Sequence, residues 1–201
     1  MLADLLQTGT TTTNATLNYG LWFLSLNPKI QKNCQAEIDS VVARHLSPTI
    51  EDIEKLPYFQ AFVLETHRLA NVVPNPVPRI CPNDWNIRGY TVPKGSLIIS
   101  NHYSAHMDNG HWGDPENFRP ERFINEKGEF VIDKRVCHFG FGKRVCIGII
   151  LSNAVIPLFL ATLLQNFTFS VVPGKIPPTT EPEIGISLSP KEFEVKITNR
   201  A

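Results

Sequence analysis

The sequence predicts a mainly α protein with small β-sheets, and three features carry that expectation. Apolar residues recur at helical spacing in three early segments: Leu17, Gly20, Leu21 and Leu24; Ile30, Cys34, Ile38, Val41 and Val42; and Leu56, Phe59, Phe62 and Val63. A long apolar run, Ile147 to Leu164, follows near the carboxy-terminal end. Between them lies a proline-rich middle whose strand signals are short and few.

Taken in order, the first helix ends at Asn27-Pro28 and runs back to or beyond Met1 without a cap, which suggests a chain cut from a longer one. It carries the run Thr8-Gly9-Thr10-Thr11-Thr12-Thr13, where β-branched residues and hydroxyls that bond back to earlier carbonyls can open or bend a helix. A merely polar helix start is the plainer reading. Pro28 suits the first position of a second helix, and Cys34 on its apolar stripe reads as core. Ser47-Pro48-Thr49 with Asp52 reads as a cap opening a short helix. The next helix ends in Glu65-Thr66-His67-Arg68, with Glu65 and Arg68 one turn apart. After it, the prolines of Asn71 to Arg79 force an extended path. Trp85 to Ser100 reads as one hairpin, with Pro93-Lys94-Gly95 as its turn and Leu97-Ile98-Ile99 as the return strand. Glu116 to Arg135 reads as an ordered meander, and Ser187 to Pro190 as part of a terminal hairpin. The run from Ile147 has nearly the length of a membrane span. Gly148, Ser152, Asn153, Pro157 and Thr162 within it favour a core helix instead, although a proline inside a helix costs about 3 kcal/mol unless a kink accommodates it.

The 201 residues are enough for one sizeable core, or for a large piece of something bigger. Nineteen basic residues balance nineteen acidic ones, so nothing points to nucleic acid or to a polybasic membrane surface. The four cysteines, Cys34, Cys81, Cys137 and Cys146, form no Cys-x-x-Cys pair, which suits free thiols better than a disulfide framework. Met1 to Leu26 has neither a basic start nor a cleavage pattern, so no secretory signal is expected there. His102, His106 and His111 lack a convincing third zinc ligand by spacing, and Cys137-His138 does not supply one.

The most informative stretch is His138-Phe139-Gly140-Phe141-Gly142-Lys143-Arg144-Val145-Cys146-Ile147-Gly148. Each part has a use if Cys146 is an iron ligand. Glycines permit tight turns and close approach to a flat ligand. Phe139 or Phe141 can pack on a macrocycle, and Arg144 can pair with a carboxylate in fork geometry. A cysteine where a loop becomes a helix is favoured as thiolate by the helix amides. The alternative is a Gly-rich turn followed by a buried free cysteine.

This stretch resembles the cysteine loop of the cytochrome P-450 family, the haem-thiolate monooxygenases. The family's Phe-x-x-Gly-x-Arg-x-Cys-x-Gly is matched by Phe139, Gly142, Arg144, Cys146 and Gly148. Glu65 and Arg68 match its Glu-x-x-Arg, and Phe118-Arg119-Pro120-Glu121-Arg122-Phe123 its Pro-Glu-Arg-Phe segment. The threonine run resembles the bulge of the family's long central helix, with Gly9, Thr12 and Thr13 matching while Thr8 and Thr11 replace the small residue and the acid. After Cys146, Ile149, Asn153 and Val155 stand where the family carries charge.

The resemblance implies the carboxy-terminal haem-binding part of the P-450 fold, with residues 1–201 a portion of a single domain whose amino-terminal part is absent. It implies haem b, iron protoporphyrin IX, on a Cys146 thiolate that pushes electron density towards O–O cleavage. Arg144 and Arg79 would hold the propionates, and Phe139, Gly140, Gly142 and Gly148 would shape the cofactor's bed. Thr12 would steer protons at the oxygen face, with Thr11 leaving delivery in doubt. Glu65, Arg68 and Arg122 would form a structural network beneath the haem, with His106 and Trp112 nearby for packing. Val72, Val73 and Val77, with Ile186 in the terminal loop, would be substrate contacts, although core packing explains the valines equally. The implied activity inserts one atom of O2 into a small hydrophobic organic substrate, with electrons from a flavoprotein reductase or a ferredoxin. Lys134, Arg135 and Lys143 would form the docking face, unless they are ordinary solvated surface. An endoplasmic reticulum membrane location on the cytoplasmic face, through an absent amino-terminal anchor, fits the proline-rich style, with mitochondria the alternative. The segment by itself is expected to be inactive. A haem-binding but inactive product and a haem-free binding module are the competing readings.

Overall fold

The computed structural model describes residues 2–175, 179, 181–185 and 187–200. Its first helix, α1 (Leu2–Leu26), runs unbroken through the threonine run. The hydroxyls of Thr10, Thr11, Thr12 and Thr16 each donate to the carbonyl four residues earlier, so the run is absorbed by the helix rather than opening it. Asn27 ends α1, and Pro28 opens α2 (Pro28–Val41) at its first position. Thr49 and Asp52 close a reciprocal capping box on α3 (Ile50–Ile53), as their spacing predicts.

The helix α4 (Pro57–Ala70) has Leu56 at its amino-terminal cap position, a residue with no side-chain acceptor. The missing cap comes from α2: both oxygens of Glu37 accept amides of α4, Tyr58 at 3.0 Å and Phe59 at 2.8 Å. Asn71, in the left-handed conformation at φ 44°, turns the chain out of α4.

The predicted hairpin over Trp85–Ser100 is two pairings instead. Strand β1 (Arg79–Ile80) is followed by β2 (Trp85–Ile87) and β3 (Tyr90–Val92), which pair with each other around Arg88-Gly89. Both turn residues have positive φ, 49° and 88°, the two-residue turn whose twist matches flanking strands. The Pro93-Lys94-Gly95 turn returns the next strand, β4 (Leu97–Ile98), to β1, with Gly95 donating to the Cys81 carbonyl at 2.8 Å. Arg79 thereby stands opposite Ile98 in a fixed register.

Two short helices, α5 (His102–His106) and α6 (Asn109–Trp112), lead into the meander, which contains the 3-10 turn Pro120–Phe123. The last helix, α7 (Ile149–Asn166), runs straight into β5 (Phe167–Val171); β6 (Pro182–Glu183) pairs with β7 (Ser189–Pro190) as the terminal hairpin, and β8 (Val195–Asn199) pairs with β5. Every sheet among the described residues is a two-stranded antiparallel pair.

The main core gathers Leu24 of α1, Ile30, Cys34 and Ile38 of α2, Phe59, Phe62 and Val63 of α4, and Ile156, Leu160, Ala161 and Leu164 of α7. Gly20 lets α1 approach α7 closely, since a Cβ there would lie 3.1 Å from the Leu160 side chain. The core-helix expectation for α7 holds for its later turns only. Its first turns expose Ile150 and Leu151, and Phe159 is half exposed, so one face packs while the other does not. By length and composition α7 could cross a membrane, yet its buried face belongs to the same cluster as the other three helices.

Gln31 joins the helices to the β5–β8 pair. Its side chain accepts from the Phe169 amide at 2.7 Å and donates to the Phe169 carbonyl at 2.8 Å, imitating a neighbouring strand. Replacing it by leucine keeps volume and leaves both buried backbone groups unpaired. Gln31→Leu should therefore lower unfolding stability by about 1–3 kcal/mol, read from urea denaturation midpoints.

Candidate functional site

The site is built around one carboxylate. Glu65, fully buried on α4, receives Arg68 through a two-pronged contact: Nε to one oxygen at 2.7 Å and Nη2 to the other at 2.8 Å. The Arg122 Nε at 3.0 Å and the Arg119 backbone amide at 2.9 Å reach the same carboxylate from the meander. The remaining guanidinium donors are also used. Arg68 bonds the carbonyls of His106 and Pro115, and Arg122 those of Trp112, Asp114 and Asn117. Both guanidinium groups lie over the Trp112 ring, 5.2 and 5.7 Å from its centre, which adds cation–π attraction to the packing role expected of Trp112.

The meander reaches the cysteine loop through α5. The Cys137 amide donates to His106 Nε2 at 2.9 Å, the Gly140 amide to the Cys137 carbonyl at 2.8 Å, and the Cys146 amide to the Phe139 carbonyl at 2.9 Å. Gly140 and Gly142 have φ of 73° and 66°, and a Cβ at either would meet nothing within 4 Å. Glycine is required there by backbone conformation rather than by space. Gly148 is the residue before α7, and a Cβ on it would lie 3.8 Å from the Cys146 sulfur.

Cys146 is exposed, whereas Cys34, Cys81 and Cys137 are buried; burial pushes the Cys34 thiol well up and the Cys137 thiol up. The Cys146 thiol faces a cavity of about 1240 Å³. Thr12, Val72, Val73, Val77, Arg79, Phe139, Gly140, Arg144 and Cys146 all line it. The fold thus collects residues from α1, the extended path, β1 and the loop, positions up to 134 apart in sequence, around one space. Gly142 and Gly148 are not among its lining residues. Glu65, Arg68 and Arg122 are separate from it, in the network above. Ile186 lies outside the described residues.

Several of the predicted side chains also bond or pack elsewhere. The Thr12 hydroxyl donates to the Thr8 carbonyl at 2.8 Å, and the residue lines the cavity. Val72 is buried in a second cluster with Ala15, Tyr19, Trp22, Phe23 and Ala70, and its carbonyl accepts from Leu188 of the terminal hairpin, so packing and lining coexist there. Lys134, Arg135 and Lys143 are all exposed; Arg135 is paired with Asp108 at 2.5 Å, and Lys143 is at the rim of the cavity lining.

Sequence reasoning missed a histidine cluster in the cavity wall. His67 and His138 stack at 4.0 Å, and neither ring nitrogen of His138 has a partner among the described residues. His102 and His106 share α5, but both nitrogens of His106 are engaged, by Cys137 and by Asn71. A zinc reading has no ligand set: the described residues contain no group of three His, Cys, Asp or Glu side chains that could hold a metal.

The donor set fits haem. A single exposed thiol stands in a cavity with the rings of Phe139 and Phe141, the left-handed Gly140 and two guanidinium groups, Arg79 and Arg144, that have no carboxylate partner among the described residues. The match to known proteins agrees. The family model described as Cytochrome P450 matches residues 1–197.

The chain belongs to the cytochrome P450 family.

It is 34% identical over 200 residues to Cytochrome P450 2U1 of Rattus norvegicus, covering all of this chain and 38% of that protein. It is 38% identical over 201 residues to Cytochrome P450 2E1 of Mus musculus, covering 41% of it. Among solved structures it is similar to a zebrafish cytochrome P450 described with abiraterone, with a TM-score of 0.92 at 33% identity, over 98% of this chain and 46% of that one. The chain therefore spans about two fifths of the length of the curated relatives it matches. The family's cofactor is haem with a cysteine thiolate axial ligand, and the mainly α architecture with small sheets is the P450 fold.

The histidine wall makes a pH prediction. Burial pushes His67 down to about 4, with His106 adding to it; burial pushes His106 down to about 4 as well, with His102 and Arg68 adding to it. The groups facing these rings are His102 and Cys137 around His106, Arg68 from α4, and His138 from the loop. Both histidines are neutral when folded and titrate near 6.5 when unfolded, so the unfolded state takes up more protons between those values. Their contribution is complete above about pH 6.5 and is lost as pH falls towards about 4. Denaturation midpoints should fall across that window, and replacing His67 by phenylalanine should flatten the decline.

Proposed function

We infer that this chain carries the haem-binding part of a monooxygenase that inserts one atom of O2 into a small hydrophobic organic substrate. The observation that carries it is the exposed Cys146 thiol in a cavity it shares with Arg79, Arg144, Phe139 and Thr12. Cys146 would hold the iron. Arg144 and Arg79 would hold the two carboxylates of the macrocycle, and Phe139 would pack against it beside the turns that Gly140 and Gly142 make. When bound, haem supplies the oxygen activation and electron transfer that no side chain can perform.

The chain's own residues exclude water and handle protons. The Thr12 hydroxyl donates to the Thr8 carbonyl; to relay a proton it would turn from that carbonyl, give up its own proton at the cavity and take one from water. Thr11, with its hydroxyl directed at the Gln7 carbonyl, supplies no carboxylate for that relay. This favours, as the second reading, a chain that binds haem with weak or no turnover. Val72, Val73 and Val77 are the substrate-facing wall within the described residues, and Ile186 belongs to the same reading.

The partners follow from the same assignment: a flavoprotein reductase or a ferredoxin as electron donor, O2, and an apolar substrate. Residues 1–201 are read as the carboxy-terminal portion of one P450 domain. The endoplasmic reticulum membrane, cytoplasmic face, is the proposed location, with attachment through an amino-terminal anchor.

The test is the carbon-monoxide difference spectrum of the reduced protein as its gene encodes it, beside Cys146→Ala. The expected result is a red-shifted Soret band of thiolate type, absent from the variant. Haem bound without that band would overturn the ligand assignment, and turnover with a reductase then separates the two readings.

A further inference from the structure

The geometry points to His106 as the positioning residue that transmits the buried Glu65 network to the cysteine loop and so holds Cys146 in register with its ligand. His106 is fully buried and makes three contacts with three different parts of the molecule. Its backbone carbonyl accepts from Arg68 Nη1 at 2.7 Å. Its Nε2 lies 2.9 Å from the Cys137 amide, and its Nδ1 lies 3.0 Å from Asn71 Oδ1.

The tautomer follows from chemistry alone. A backbone N–H can only donate, so Nε2 must present its lone pair; the ring proton is then on Nδ1, and Asn71 Oδ1 accepts it. Asn71 is the left-handed residue that ends α4 and starts the extended path along the cavity. One neutral imidazole therefore ties the end of the network helix to the first amide of the loop. From Cys137 the connection continues through its carbonyl to Gly140 and, two residues along, from the Phe139 carbonyl to the Cys146 amide.

Among the hydrogen bonds of the described residues, this one alone joins the Glu65 network to the loop; α4 also meets the loop by ring packing, His67 stacking on His138 at 4.0 Å. Glu65, Arg68 and Arg122 bond the carbonyls of His106, Trp112, Asp114, Pro115 and Asn117 and the Arg119 amide, all before the loop begins. The loop's hydrogen bond to that network is made by the His106 ring. A hydrophobic residue at 106 would leave the Cys137 N–H buried without an acceptor, and the loop would be held against α4 by packing, including the His67–His138 stack, without that hydrogen bond.

Two near-isosteric replacements separate the ring's two bonds. In His106→Gln the side-chain oxygen reaches the place of Nε2 and keeps the acceptor for Cys137. In His106→Asn the shorter amide reaches only the place of Nδ1, keeping the donor to Asn71 and losing the loop. His106→Leu loses both, and Gln31→Leu, at the join of α2 to the β5–β8 pair, serves as a variant destabilised elsewhere.

The experiment uses the protein as its gene encodes it and reads two signals: hydrogen exchange of the Cys137 amide before haem is added, and the carbon-monoxide Soret band of the reduced, haem-loaded protein. We expect exchange at Cys137 to be at least tenfold faster in the Asn and Leu variants at 106, with part of the thiolate-type band displaced to the blue. The Gln variant at 106 and Gln31→Leu should keep the band. Equal behaviour of the Asn and Gln variants at 106 would overturn the role, as would an equal displacement in Gln31→Leu. The inference rests on Cys146 as the iron ligand. A parent protein without the thiolate-type band would overturn that assignment, while the exchange result would still decide the link between His106 and the loop.

Discussion

The buried carboxylate of Glu65 is the interaction on which the rest of the molecule depends. Two guanidinium groups and one backbone amide converge on it with no solvent access, and each guanidinium then spends its remaining donors on meander carbonyls. An ion cluster in such a place is favourable only when every member is satisfied, because the desolvation of each charge is then offset by hydrogen bonds as well as by attraction. The requirement works in both directions. The carbonyls of Pro115 and Asn117 have no regular secondary structure of their own, so the arginines give an irregular segment the hydrogen bonds a helix or sheet would otherwise provide.

That arrangement explains why the functional loop can lack regular structure and still be placed. From Val136 to Gly148 the chain has only turns and one short 3-10 segment, with two glycines at positive φ. Such a segment is held by its ends. Gly148 leads directly into α7, whose later turns are locked into the main core by Leu160 and Leu164. At the other end the Cys137 amide is held by His106, and through it by α4. Cys146 is thus suspended between a packed helix and a hydrogen-bonded network, with its sulfur left open to the cavity.

Much of this was legible in the sequence, for physical reasons that differ by element. Helices α1, α2 and α4 announce themselves by apolar spacing, and Pro28, Thr49 and Asp52 by local chemistry that depends on no distant partner. The cysteine loop was legible because its residue types are dictated by a turn and a ligand together. What failed was long-range. The pairing of β4 with β1 rather than with β2 depends on Arg88 adopting positive φ, a conformation an arginine does not advertise. The Gln31 contact with β5 and the Glu37 cap on α4 join elements with no sequence neighbourhood, and the stacking of His67 on His138 joins residues 71 positions apart by their numbers. Asn71 was the one missed feature with a local signal, since an asparagine between a helix and an extended segment is a frequent left-handed cap.

The central claim is that the Glu65 network holds the cysteine loop, and amide hydrogen exchange on Glu65→Gln tests it most directly. The substitution keeps the shape, removes the charge and leaves the buried Arg68 without its counterion and Arg122 with Asp114 alone, a loss of about 3–5 kcal/mol. The account predicts that the amides of Cys137, Gly140 and Cys146 lose protection together with those of α4, while the β5–β8 pair stays protected. Unchanged protection at those three loop amides, with α4 opened, would contradict it.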